Sequence, residues 1–208
     1  MPVSPAKELF AAIRCQSVSV PGYGRTVLRA PSIGACSPAS PPGSCHMRRL
    51  EERPEPWRSF FAEIDGLLSE EVQLHCCGGF VVTQLYGVAR TTSDVDFLAA
   101  VPNVQRELTE IAGKGSPLHR KHKAYLDAVT VATPPENYEE RLISMYPCAW
   151  VHLRLEALEA HDLALSKLER NIDRDRDDVR QLAQAGLLKP DILRNRYYNE
   201  LRPNLLAH

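Results

Sequence analysis

The sequence predicts an α/β (α+β) chain: a small mixed sheet flanked by helices, with a C-terminal helical subdomain behind it. Three observations predict this. Apolar runs of strand length alternate with amphipathic helical stretches between residues 57 and 155. From residue 156 only helical periodicity remains. Glycine and proline punctuate the junctions, at Gly78-Gly79, Gly87, Pro102 and Pro134-Pro135.

Taken in order, residues 1 to about 50 hold the run SIGACSPASPPGSC and little periodic apolar pattern. Such a composition cannot bury enough surface to offset chain entropy, so this lead is expected to be disordered. Met47 stands just ahead of the first convincing helix and is an alternative start to Met1. Trp57 opens that helix. Phe60, Phe61, Ile64, Leu67, Leu68 and Val72 recur at helical spacing, carrying it to about Glu71. A short strand over 73–77 follows, then Gly78-Gly79 and a helix from Phe80 to about Tyr86, which Gly87 stops. The stretch DVDFLAAV, Asp94 to Val101, reads as a buried strand, and Pro102-Asn103 opens a helix reaching Ala112. A strand over 124–132 (AYLDAVTVA) comes next. Pro134-Pro135 introduces a helix over 136–145, and a further strand falls near 149–155. Helices over 158–171, 175–185 and 191–201 form the tail, separated by an Asp/Arg-rich turn and Gly186. The expected plan is a lead over 1–50, an α/β domain over 57–155 and a helical subdomain over 156–208.

Composition sets the class. A chain of 208 residues, 44% hydrophobic and 25% charged, can bury one sizeable core. No stretch is apolar for the roughly 18 residues that a membrane helix needs. The first residues also lack the apolar run of a signal peptide, so the expected location is cytoplasmic, with no membrane partner. Of the six cysteines, Cys15, Cys36 and Cys45 lie in the lead, Cys76 and Cys77 are adjacent on a strand, and Cys148 opens another apolar run. Without CxxC or paired spacing they read as reduced thiols. Net charge is -1; residues 1–56 hold 7 Lys+Arg against 4 Asp+Glu, the remainder 18 against 22. A broad basic face is therefore absent, and RNA contact would need a local patch. The best candidate spans 114–123, with Lys114, His119, Arg120, Lys121, His122 and Lys123; a solvated loop explains the same residues equally well.

Chemistry concentrates in CCGGFVVTQLYGVARTTSDVDF, Cys76 to Phe97. A strand entering a helix through two glycines leaves backbone N–H groups free at the helix start. There the backbone approaches closely and the helix dipole favours a phosphate; a plain turn is the alternative. Strand alternation places Asp94 and Asp96 on one face, where like charges call for a cation, and hard divalent ions take carboxylate and phosphate oxygens. The competing reading is an N-cap followed by a solvent-facing Asp. Asp127, inside AYLDAVTV, would be costly to bury between Leu126 and Ala128 without a partner. A metal shared with Asp94 and Asp96 would supply one, giving a phosphoryl-transfer site; otherwise Asp127 points to solvent. Arg90 and Ser93 stand ready to neutralise and hydrogen-bond a triphosphate, although Arg90 equally suits a structural carboxylate. His161-Asp162 spells a metal-phosphohydrolase pair without its supporting constellation, so Asp162 is read as capping or solubilising a helix. His119-x-x-His122 lies among cations that would repel a metal.

Together, Gly78-Gly79, the short helix, Arg90-Thr91, Asp94-Val95-Asp96 and the later Asp127 resemble the minimal nucleotidyltransferase fold of the DNA polymerase β superfamily. The run LEAHDLALSKLERNIDRDRDDVRQLA, ending at Ala183, looks like the post-catalytic helices of AbiEii-type (MenT-like) nucleotidyltransferase toxins. The likeness covers about residues 57–200. It implies that Asp94 and Asp96 bind Mg²⁺ or Mn²⁺ and that Asp127 completes the acidic set. It also implies that Gly78 and Gly79 line the phosphates, that Lys167 reaches them from its helix, and that Asp175 or Asp178 orients Lys167 or an arginine. The family's frequent Gly-Ser here has Gly79 in place of the serine, which removes one hydroxyl contact. The implied partners are a nucleoside triphosphate, a tRNA 3′ end as acceptor and a cognate antitoxin protein. The alternative expectation is a catalytically inactive member of the fold that binds nucleotide or a protein partner.

Overall fold

The computed structural model describes residues 54–130 and 132–206; the lead over 1–50 and Met47 lie outside the described residues. Helix α1 (Trp57–Leu67) forms as its periodicity dictates, burying Trp57, Phe60, Phe61 and Ile64. It ends about a turn earlier than the apolar pattern suggests. Asp65, near its end, accepts from the backbone N–H groups of His152 (2.7 Å) and Leu153 (2.8 Å), tying the helix to a distant strand. There follow β1 (Val72–Cys76), α2 (Gly78–Gln84), β2 (Asp94–Val101), α3 (Gln105–Ala112), α4 (Pro117–His122) and β3 (Tyr125–Ala128). A 3-10 turn (Tyr138–Arg141) leads to β4 (Ile143–Met145) and β5 (Leu153–Ala157). Helices α5 (Ala160–Arg170), α6 (Asp173–Gln184) and α7 (Pro190–Arg196), a π-helical turn (Tyr197–Leu201) and α8 (Arg202–Leu206) complete the order.

The strands form one mixed sheet in the order β3-β2-β1-β5-β4. β1 is antiparallel to β2 and parallel to β5, β2 is parallel to β3, and β4 is antiparallel to β5. This is the α/β architecture expected. One sheet face carries Leu74, Cys76, Val95, Phe97, Leu126 and Leu155 into the core beside Phe60, Phe61 and Phe80. The other, by alternation, carries Asp94, Asp96, Tyr125 and Asp127. Leu163 of α5 and Leu182 of α6 join the main core, while Ala164, Leu165, Val179, Leu193 and Leu201 gather in a second cluster.

Three expectations are corrected. The helix over 136–145 is instead the 3-10 turn and β4, because Ile143 and Met145 pair with Ala157 and Leu155 at the sheet edge. The strand near 149–155 shifts to Leu153–Ala157; positive φ at Tyr146 and Cys148 bends the chain before it, and Asp65 holds its first amides. The basic stretch 114–123 contains α4 rather than only loop. Ser116 caps it by accepting from His119 N–H (3.1 Å), Pro117 starts it, and Lys123 ends it at φ 58. Cys76 and Cys77 are buried free thiols; Cys15, Cys36 and Cys45 lie outside the described residues. Among the described residues no helix is long and apolar enough to cross a membrane.

Candidate active site

β2 begins at Asp94, and its alternation leaves Asp94 and Asp96 half-buried on the polar face while Val95 and Phe97 are buried. β3 lies parallel beside it, with Tyr125 opposite Asp94 and Asp127 opposite Asp96. In-register neighbours point the same way, so three carboxylates share one face. Burial raises the Asp96 pKa to about 6, and the fields of Asp94 and Asp127 add to the rise; the Gly79 amide and Lys167 oppose it. The Thr92 hydroxyl donates to the Asp94 carboxylate.

Asp127 is exposed rather than buried between Leu126 and Ala128, because β3 is a four-residue edge strand whose polar face opens to solvent. Among the described residues no group of three or more His, Cys, Asp or Glu forms a cluster that could hold a metal ion. The acids are neighbours, not a cage. Mg²⁺ commonly takes one or two carboxylates from a protein and completes its shell with water and substrate phosphate. Asp94 and Asp96 fit that mode of binding.

The glycine turn is built around these side chains. Cys77 N–H donates to the Asp96 carbonyl (2.8 Å), joining the turn to β2. Gly78 sits at φ +66, and a Cβ there would stand 1.7 Å from Asp96 Oδ2. A Cβ at Gly79 would stand 2.7 Å from Arg90 Nη2. The Gly79 amide, expected to face phosphate, instead donates to Asp96. The space a serine side chain would need at position 79 holds the Arg90 guanidinium.

Arg90 forms an ion pair with Asp178. Lys167 Nζ lies 2.8 Å from Asp178 Oδ2 and 3.2 Å from Asp175 Oδ1. Arg170 binds Asp175 through two nitrogens at 2.7 and 2.8 Å. The two acids left as alternatives by the sequence therefore both contact Lys167. Asp178 ties it to Arg90 and Asp175 ties it to Arg170. Three cations against two acids leave positive charge in surplus beside Asp96. Ser93 is exposed, and its carbonyl accepts from Tyr125 N–H (3.0 Å).

Sequence reasoning missed Tyr125 and Arg170. Burial and then the fields of Asp94, Asp127 and Asp96 raise the Tyr125 phenol pKa, marking it as a neighbour of all three acids. Its signal was available, two residues before Asp127 at strand period. Arg170 was hidden in the Arg/Asp run, where many pairings fit.

The remaining motifs lie elsewhere. Asp162 is fully buried and held by Arg141 (2.8 Å) and Arg196 (2.9 Å). The cap of α5 belongs to Glu159, which accepts from His161 N–H (3.1 Å); Asp162 neither caps nor solubilises the helix. His161 Nδ1 meets Glu159 (2.6 Å) and its Nε2 accepts from Lys189 N–H (2.9 Å). His119 accepts from Gly115 N–H (2.9 Å), whereas His122 meets Glu63 (2.7 Å), so the two rings serve separate structural contacts.

A family model described as "Nucleotidyltransferase of unknown function (DUF6036)" matches residues 58–205. That span holds every site residue from Gly78 to Asp178. No curated protein and no solved structure matches.

Proposed function

The chain belongs to this family of nucleotidyltransferases, and from that premise we propose that it moves a nucleoside monophosphate from a nucleoside triphosphate to an acceptor hydroxyl, with Mg²⁺ or Mn²⁺ as cofactor. One observation carries the reading: Asp94 and Asp96 share a face of β2 against the Gly78-Gly79 turn, while Arg90 and Lys167 meet at Asp178 beside them.

In this reading Asp94 and Asp96 hold the cation, which when bound offsets the charge of the triphosphate. Arg90 and Lys167 neutralise its phosphates, and Asp178 keeps both cations aimed at one place. Gly78 and Gly79 leave room for Asp96 and Arg90 to stand against the turn, and so bring the cation site and a phosphate-binding guanidinium together. Arg90, standing where the serine is missing, replaces a hydroxyl donor with a charge-assisted one; Ser93 supplies a further hydroxyl from the surface. Asp127 takes the proton of the acceptor hydroxyl. A bond forms between that oxygen and the α-phosphorus, the bond to the bridging oxygen breaks, and pyrophosphate leaves.

We propose a tRNA 3′ end as acceptor, and as role the toxin of a cytoplasmic toxin–antitoxin pair with a protein antitoxin. Both rest on the likeness of the run ending at Ala183 to AbiEii-type, MenT-like toxins. A second reading, nucleotide or protein binding without transfer, is favoured by the exposure of Asp127. Incubation with Mg²⁺, labelled nucleoside triphosphates and total tRNA separates the two. Label on tRNA with wild type, lost in Asp96→Ala, supports transfer. Nucleotide binding without label transfer supports the second reading.

A further inference from the structure

We propose that Tyr125, with Lys114 at its ring and Arg120 and Lys123 on the adjoining helix α4 and its C-cap, is the seat for the end of a single-stranded polynucleotide: the ring stacks on the terminal base and the cations take the phosphates behind it. The inference rests on the transferase reading for the direction from which the acceptor approaches.

Position comes first. The sheet order β3-β2-β1 puts the acids between two different surfaces. On the β1 side lie the glycine turn and the network of Arg90, Lys167 and Arg170, which carries one positive charge more than its acids Asp175 and Asp178. On the β3 side lie Tyr125 and α4. Tyr125 is the register partner of Asp94 and stands two residues from Asp127, so a group resting on its ring is beside the reacting acids. A triphosphate held on the β1 side leaves the β3 side for the acceptor.

Chemistry comes second. Tyr125 is half-buried, and the His119 ring braces it edge-on with centroids 4.9 Å apart. Lys114 Nζ stands 6.0 Å from its ring centroid. Gly113 bridges to Leu126, so the loop carrying Lys114 lies along the outer edge of β3. Lys114, Arg120 and Lys123 are exposed, and none forms an ion pair with a described residue; Lys121, in contrast, is taken by Glu63 at 2.6 Å. A braced aromatic ring with one cation at the ring and exposed cations on the adjoining helix is the combination that binds unpaired bases and their backbone without reading sequence. A small-molecule acceptor would have no use for three cations spread from the loop to the end of α4. An acidic protein would use the cations but not a ring set among carboxylates.

The test uses the full chain and short fluorescent single-stranded RNA and DNA oligonucleotides of matching sequence, with binding read by anisotropy at several salt concentrations. Wild type should bind both, more weakly as salt rises. Lys114→Glu/Arg120→Glu/Lys123→Glu, all changes at exposed positions, should lose about tenfold or more and flatten the log–log salt slope by about 2. Tyr125→Ala should weaken binding about tenfold, while Tyr125→Phe keeps it. Tighter RNA than DNA binding would add recognition of the 2′-hydroxyl; equal binding would leave stacking and charge as the whole of it. Either result supports the seat. Wild-type binding to neither oligonucleotide, wild-type affinity in the charge-reversed variant, or competition by polyglutamate as strong as by RNA would overturn it. Labelled nucleoside triphosphate binding, measured on the same samples, keeps the two ideas apart. In wild type, strand binding absent with nucleotide binding present removes the seat alone. Nucleotide binding absent with strand binding intact removes the transferase reading.

Discussion

The carboxylate of Asp96 fills the volume that a side chain at position 78 would need; a Cβ on Gly78 would stand 1.7 Å from Asp96 Oδ2. The glycine is therefore fixed twice, by a left-handed φ of +66 and by a site side chain pressed against it. Gly78→Ala should lose roughly 1–2 kcal/mol from the backbone alone, and more from moving Asp96. Gly87→Ala is the control, because φ there is +71 and nothing lies within 4 Å. Both should melt at lower temperature, but only Gly78→Ala should lose nucleotide affinity in a titration.

The raised pKa of Asp96, about 6, gives a pH dependence of definite sign. Between the ordinary carboxylate range near pH 4 and pH 6 the folded state holds a proton that the unfolded state has released. In chelator-treated protein this group therefore favours folding below pH 4, and the contribution fades as pH rises through 6. It amounts to something on the order of 3 kcal/mol. Melting temperature compared between wild type and Asp96→Asn at pH 5 and pH 7 should show it. Because proton and cation compete for the same oxygens, Mn²⁺ affinity should fall from pH 7 to pH 5 in wild type.

Asp178 holds Arg90 and Lys167 together inside the protein. Asp178→Ala leaves two cations facing each other without their shared acid, which should cost about 3–5 kcal/mol. Chemical denaturation measures that loss. Nucleotide affinity should fall as well, since the two cations would no longer converge.

Asp162 offers the contrast. Fully buried between Arg141 and Arg196, it should lose a similar 3–5 kcal/mol on change to Ala. At temperatures where the variant stays folded, its nucleotide affinity should match wild type. A fall in affinity would connect this second network to the site.

Parts of this arrangement were legible in the sequence because they depend on local period. Asp94-x-Asp96 follows from strand alternation, and α1 follows from Trp57, Phe60, Phe61 and Ile64. Where the outcome depends on which strand lies at the edge, local pattern misleads. Asp127 sits in an apolar run yet is exposed, and Ile143-Ser144-Met145 belongs to a strand only because β5 offers it an edge. The Asp/Arg run of α6 fits many pairings. Only the packing of α5 and α6 against the loop before β2 selects Asp178 for Arg90 and Asp175 for Arg170. The glycines were recognised, but for backbone access; their close contacts with Asp96 and Arg90 are tertiary facts.

The most direct test of the central claim, that Asp94 and Asp96 with Arg90 and Lys167 make one cation-and-triphosphate site, is calorimetric titration with a non-hydrolysable nucleoside triphosphate. Wild type should bind it with Mg²⁺ and lose at least about tenfold in chelator, and Asp94→Asn/Asp96→Asn should bind weakly under both conditions. Equal binding with and without Mg²⁺, unchanged in the double variant, would contradict the account.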